Sequence, residues 1–136
     1  MQTFESKVAV VTGGASGIGA AIVKDLAAQG ARVVIADFDL DGAARLADRL
    51  GPDVALPFKV DVGDAAQVEA MVAFAVERFG GLHLAVNNAG VGAPATPLAD
   101  IALDDWKRII DVDLNSVFFG MKYQICLLYT SPSPRD

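Results

Sequence analysis

The chain has 136 residues, a hydrophobic share of 53% and a mean hydropathy of +0.40, enough apolar material for the core of one domain. Its net charge of −6 and pI near 4.6 argue against DNA, RNA or an anionic membrane as partner, since each calls for a basic patch. A single cysteine, Cys126, excludes an internal disulfide, and with no signal peptide and no apolar run near the roughly 18 residues of a membrane helix the expected setting is the cytoplasm.

Residues 7–12 (KVAVVT) are a short β-branched run and read as a buried strand. Residues 17–30 (GIGAAIVKDLAAQG) set Ile18, Ile22 and Leu26 at i, i+4 and i+8, a helical face, with Gly30 suited to the helix end. ARVVIAD (31–37) reads as the second strand and residues 39–51 as a helix ending at Gly51. VALPFKVDV (54–62) reads as the third strand, with Pro57 suggesting an edge or a strand start. In residues 64–81, Asp64 and Gln67 suit a capping box. Val68, Val72, Ala75 and Phe79 line one helical face there, and Gly80 and Gly81 stop the helix. LHLAVNNAG (82–90) is the fourth strand running into a loop set by Pro94 and Pro97. Residues 103–111 and 114–125 read as two further helices, and there is no internal repeat.

Strands alternating with helices call for crossover connections and a parallel sheet. The fold class expected is α/β: a Rossmann-type doubly wound parallel sheet of order 3-2-1-4, truncated after the fourth strand and the helices that follow it. Parallel strands buried on both faces read as continuous apolar runs, as these four do.

The strongest chemical signal is TGGASGIG, Thr12 to Gly19, between a strand and a helix. Gly13 permits a tight turn, Gly17 lets backbone approach a pyrophosphate, and Gly19 allows close helix–sheet packing. The free N–H groups and dipole of the helix start favour phosphate. An ordinary glycine turn is the plain alternative. Asp37 ends the second strand 18 residues after Gly19, close to the roughly 20 expected of a ribose-binding acid. It would repel a 2′-phosphate, and neither Ser16 nor Phe38 is a cation that could offset this. NAD is therefore favoured over NADP. Asp61 could accept from an adenine amino group with Val62 flanking the ring; a strand-end cap is an equal reading. NNAG (87–90) could line the same crevice or satisfy strand-end backbone groups. His83, the one histidine, is expected to pack against a helix, Trp106 to pack a helix onto the core, and Asp100, Asp104 and Asp105 to form a solvated helix start. No metal site is expected.

TGGASGIG, Asp37, the DV pair at 61–62 and NNAG together resemble the classical short-chain dehydrogenase/reductase family, over about Lys7 to Ile125. The resemblance implies that Gly13, Ser16, Gly17, Ile18 and Gly19 hold the pyrophosphate side of NAD. It gives Asp37, with Phe38 beside it, to the adenosine ribose, and Asp61 and Val62 to the adenine. Asn88, Ala89 and Gly90 fall to the second ribose region. It implies hydride transfer between the nicotinamide and an alcohol or carbonyl carbon of a small molecule, and a homo-oligomer at full length.

The family's chemistry uses an Asn, a Ser, and a Tyr four residues before a Lys. Its Asn position falls on Asp113, the candidate catalytic residue here; a carboxylate can hold a water but adds charge and lacks the amide donor. A helix acid without catalytic work is the alternative. Tyr123 and Tyr129 are followed four residues on by Leu127 and Ser133, so no Tyr-x-x-x-Lys occurs. Pro132 and Pro134 disfavour a helix, and residues 126–136 are expected to be disordered. CLLYTSPSPRD is also similar to the conceptual translation of a transposase adapter used in DNA sequencing libraries, which implies that the gene continues past Ile125. The expected whole is an NAD-binding domain at 1–125 that is an inactive N-terminal fragment. A dinucleotide-sensing module without catalysis is the alternative.

Overall fold

The computed structural model describes residues 3–93 and 95–130. Four strands alternate with three helices: β1 (Val8–Thr12), α1 (Gly17–Ala28), β2 (Arg32–Asp37), α2 (Leu40–Leu50), β3 (Ala55–Lys59), α3 (Ala65–Phe79) and β4 (Leu84–Asn87). Two more helices follow, α4 (Leu103–Ile109) and α5 (Ser116–Thr130). The strands form one parallel sheet in the order β3-β2-β1-β4, the doubly wound order the sequence predicts.

Side chains alternate across this sheet. Ala9, Val11, Val33 and Ile35 pack with Val23 and Leu26 of α1 and with Ala43 and Leu46 of α2. Val8, Val10, Val34 and Ala36 pack on the other face with Val68, Met71, Val72 and Ala75 of α3. Because β1 and β2 are covered on both sides, their sequences are unbroken apolar runs. β3 is an edge strand, and Pro57 stands there opposite Ile35, where a missing backbone donor is tolerated.

Several local expectations need correction. The buried face of α1 is Gly19, Val23 and Leu26; Ile18 is 74% exposed. The helix is turned so that side-chain-free Gly19 lies against the Gly13 carbonyl, where a Cβ has no room. The box at α3 is only half reciprocal. Asp64 accepts from the Ala66 and Gln67 N–H groups, but Gln67 Oε1 accepts from the Asp61 N–H at 2.8 Å. β3 ends at Lys59, its last bond to β2 running from the Val60 N–H to the Asp37 carbonyl at 3.0 Å, so Asp61 and Val62 follow the strand instead of closing it. His83 precedes β4, and its Nδ1 accepts from the Val8 N–H at 2.9 Å instead of packing on a helix.

The last two helices are one continuous run, joined by a π-helical turn at Ile110–Asn115. Trp106 is 55% exposed, because α4 buries none of its residues. The run also passes Ile125 and reaches Thr130, with Leu127 and Leu128 against the α3 side of the core. The disorder expected from Cys126 therefore does not extend over residues 126–130, which continue the helix, with Leu127 and Leu128 giving it something to pack on; residues 131–136 lie outside the described residues. α5 is pinned to β4 by a reciprocal amide pair between Asn87 and Gln124, at 2.8 and 2.9 Å.

Candidate functional site

A crevice of about 560 Å³ opens beyond the carboxyl ends of the strands. This is where a doubly wound sheet offers its ligand site, since the connections leave the sheet in opposite directions on either side of β1. Each strand delivers residues to it: Gly13 after β1, Asp37 and Phe38 at β2, Asp61 and Val62 after β3, and Asn88, Ala89 and Gly90 after β4. Ser16 and Ile18 reach it from the start of α1.

The glycine loop is built by close approach. Gly13 has φ +65°, and a Cβ there would stand 2.9 Å from Asn88 Nδ2 and 3.0 Å from Ala89 Cα. Asn88 Nδ2 donates to the carbonyls of Thr12 and Gly13, at 3.1 and 3.3 Å, and so ties the β1 and β4 ends together. Thr12 Oγ1 accepts from the N–H groups of Asn88 and Ala89, at 2.9 and 3.1 Å, and donates to the Val86 carbonyl. Gly17 and Gly19 shape the loop without lining the crevice: Gly17 has φ +55°, and Gly19 packs under Gly13. α2 and α3 are capped by Asp39 and Asp64, whereas Ser16 makes no side-chain cap to α1. The first N–H groups of α1 are thus left to solvent or a ligand.

Asp37 is held rigidly. Its Oδ2 accepts from the Ala15 N–H and its Oδ1 from the Asp39 N–H, both at 3.0 Å. Each oxygen keeps a lone pair for a further donor. Asp61 Oδ1 accepts from the Gly63 N–H at 3.0 Å and has the Arg108 guanidinium 3.6 Å away.

Asp113 does not line the crevice. It is exposed in the π-helical turn, and its Oδ1 accepts from the Val91 N–H at 2.7 Å. It thereby anchors the loop that leaves β4. Asn115 turns instead to Asp111, donating to its Oδ1 at 3.0 Å.

Reasoning from sequence missed five lining residues: Asp39, Val60, Val91, Arg108 and Val112. The first three adjoin residues that were singled out, and adjacency was the available signal. Arg108 and Val112 carried none, because which side of α4 meets the crevice is set by tertiary packing. Among the described residues no group of three His, Cys, Asp or Glu could hold a metal ion, and no helix is long and apolar enough to cross a membrane.

Comparison with known proteins matches residues 7–132 to the family model described as short chain dehydrogenase. Cyclohexanol dehydrogenase of Acinetobacter sp. (strain SE19) is 40% identical over 125 residues, covering 90% of this chain and 49% of that protein. The 3-alpha-(or 20-beta)-hydroxysteroid dehydrogenase of Mycobacterium tuberculosis is 46% identical over 117 residues, covering 85% of this chain and 44% of its own length. Among solved structures, a short chain dehydrogenase/reductase from Burkholderia phymatum in complex with NAD superposes with a TM-score of 0.91 at 35% identity. It spans 98% of this chain and 48% of its own. A 3-ketoacyl-(acyl-carrier-protein) reductase from Brucella melitensis complexed with NADH gives a TM-score of 0.88 at 36% identity, over 92% of this chain and 51% of that one. The chain spans about half the length of the curated relatives it matches.

Proposed function

The chain belongs to the short-chain dehydrogenase family, and from that premise we propose that it is the cofactor-binding half of an NAD-dependent oxidoreductase that moves hydride between the nicotinamide and an alcohol or carbonyl carbon. The observation that carries this reading is Asp37. Its two oxygens are fixed by backbone N–H groups at the crevice, with lone pairs left for ribose hydroxyls. A 2′-phosphate there would meet a carboxylate, and Asp39 adds a second negative charge nearby. NAD is the reading that follows, supported by the NAD and NADH that two similar structures hold.

The remaining residues divide along the dinucleotide. Gly13, Ser16, Gly17, Ile18 and Gly19, with the uncapped start of α1, take the pyrophosphate. Asp61 and Val62 take the adenine, Phe38 stands beside the adenosine ribose, and Asn88, Ala89 and Gly90 take the second ribose. NAD supplies the hydride acceptor; this chain's residues bind and orient it. Asp113 acts through Val91, as a positioning residue for the crevice wall. The substrate is a small alcohol or ketone, as the names of the similar dehydrogenases suggest. The whole protein is a cytoplasmic homo-oligomer.

Titration with NADH and NADPH, followed by nicotinamide fluorescence, tests the reading. NADH should bind at least about tenfold more tightly than NADPH, a difference of about 1.4 kcal/mol. Asp37→Asn should weaken NADH and narrow that ratio. Equal affinities for the two cofactors would overturn the assignment to Asp37.

A further inference from the structure

Arg108 is the one cation among the residues lining the crevice, which also holds Asp37, Asp39 and Asp61. It comes from α4, one helical turn before Val112, which lines the same crevice. Its guanidinium stands 3.6 Å from Asp61 Oδ1, an ion pair too long for a hydrogen bond. Among the described residues no hydrogen bond holds that guanidinium, and its side chain is 50% exposed. Two large apolar side chains, Ile18 at 74% and Phe38 at 60% exposure, face water at the same crevice. Exposed apolar surface in a crevice with a planar cation that is ion-paired but not hydrogen-bonded suits a flat ring that can be stacked upon.

We propose that Arg108 is a base-binding residue: it keeps its charge beside Asp61 and lays its guanidinium plane on the purine of the bound dinucleotide. This rests on the cofactor reading above and extends it to a residue of α4. Two effects act together. The planar cation attracts the π face of the base, and it offsets part of the charge of Asp37, Asp39 and Asp61 around the adenosine half. The ligand class it selects is adenine-bearing nucleotides. The nicotinamide end is not expected to sense it.

The experiment measures NADH binding to this chain by fluorescence, with AMP and nicotinamide mononucleotide as displacing ligands, for the unaltered chain and for Arg108→Ala and Arg108→Lys. Arg108→Ala should weaken NADH and AMP by about fivefold and leave nicotinamide mononucleotide unchanged. Arg108→Lys keeps the charge without the plane and should weaken both adenine ligands by about threefold. The melting midpoint without ligand should not move; if alanine lowers it, the lysine variant, which retains the charge beside Asp61, carries the test. Unchanged affinity for NADH and AMP in that variant, or an equal loss for all three ligands, overturns the inference. No binding of NADH by the unaltered chain overturns the cofactor reading and this inference with it, whereas binding that ignores Arg108 overturns this inference alone.

Discussion

Thr12 shows how much a single hydroxyl organises at this site. It closes β1, is 5% exposed, and uses all three of its hydrogen-bonding positions. The two N–H groups it accepts belong to Asn88 and Ala89, both on the crevice wall. Thr12→Val would keep the shape and leave those two donors without a partner. An unsatisfied buried donor costs about 1–3 kcal/mol, so a loss of about 2 kcal/mol in urea unfolding is expected, with weaker NADH binding as the wall loosens. Thr12→Ser keeps the hydroxyl and should stay within about 0.5 kcal/mol of the parent. A valine variant as stable as the serine one would show that the hydroxyl is dispensable. Gly19 is constrained in the opposite sense, by lack of space: any Cβ collides with the Gly13 carbonyl. Such overpacking costs about 1–3 kcal/mol, and Gly19→Ala should abolish NADH binding by displacing the loop.

At the scale of elements, the strands were legible because burial on both faces leaves no polar residue to interrupt them. Helix extent was legible from glycine stops such as Gly30, Gly51 and Gly80, all at positive φ. Helix facing was legible in α3, where Val68, Val72 and Ala75 are buried as expected, but not in α1. α1 presents Gly19 and Val23 inward instead of Ile18, because contact with the glycine loop outweighs the apolar stripe. Arg108 and Val112 share one helix face at i and i+4, but only tertiary packing turns that face to the crevice. Most site residues read from motifs lie at or just after strand ends, where position follows from the ladder, and three of the five missed, Asp39, Val60 and Val91, adjoin them; the other two, Arg108 and Val112, lie on the helical run after β4. The Asn87–Gln124 pair is likewise a tertiary fact, between residues 37 apart in sequence. Gln124 is 2% exposed, and a Cβ at Gly120 would lie 2.5 Å from Asn87 Oδ1, so α5 rests closely on the end of β4. Gln124→Leu should cost about 2 kcal/mol by stranding the Asn87 amide. Combining it with Asn87→Ala should cost less than the sum, by about 1 kcal/mol, because no unpaired amide then remains. Strict additivity of the two in urea unfolding would show that they do not act as a pair.

On the scale of the whole molecule, the cofactor reading leads to an expectation of binding without turnover. The crevice draws on all four strand ends, and those residues sit on a sheet that is already formed and packed on both faces. Acid–base chemistry is another matter, since neither Tyr123 nor Tyr129 has a lysine four residues on. Asp113, at the position that suggested catalysis, is tied to the Val91 N–H. Loss of a general acid/base costs about 10²–10⁴-fold in rate. NADH should therefore stabilise the chain without being produced by it. At a hundredfold excess over Kd, linkage gives about 2.7 kcal/mol, which for a chain of this size raises the melting midpoint by about 8 °C or more. With NAD and a panel of secondary alcohols, absorbance at the reduced-nicotinamide band should not rise above the enzyme-free blank. A midpoint that NADH leaves unmoved would remove the cofactor reading. Steady reduction of NAD by this chain would instead place a proton acceptor within these 136 residues, with Asp113 the first to substitute.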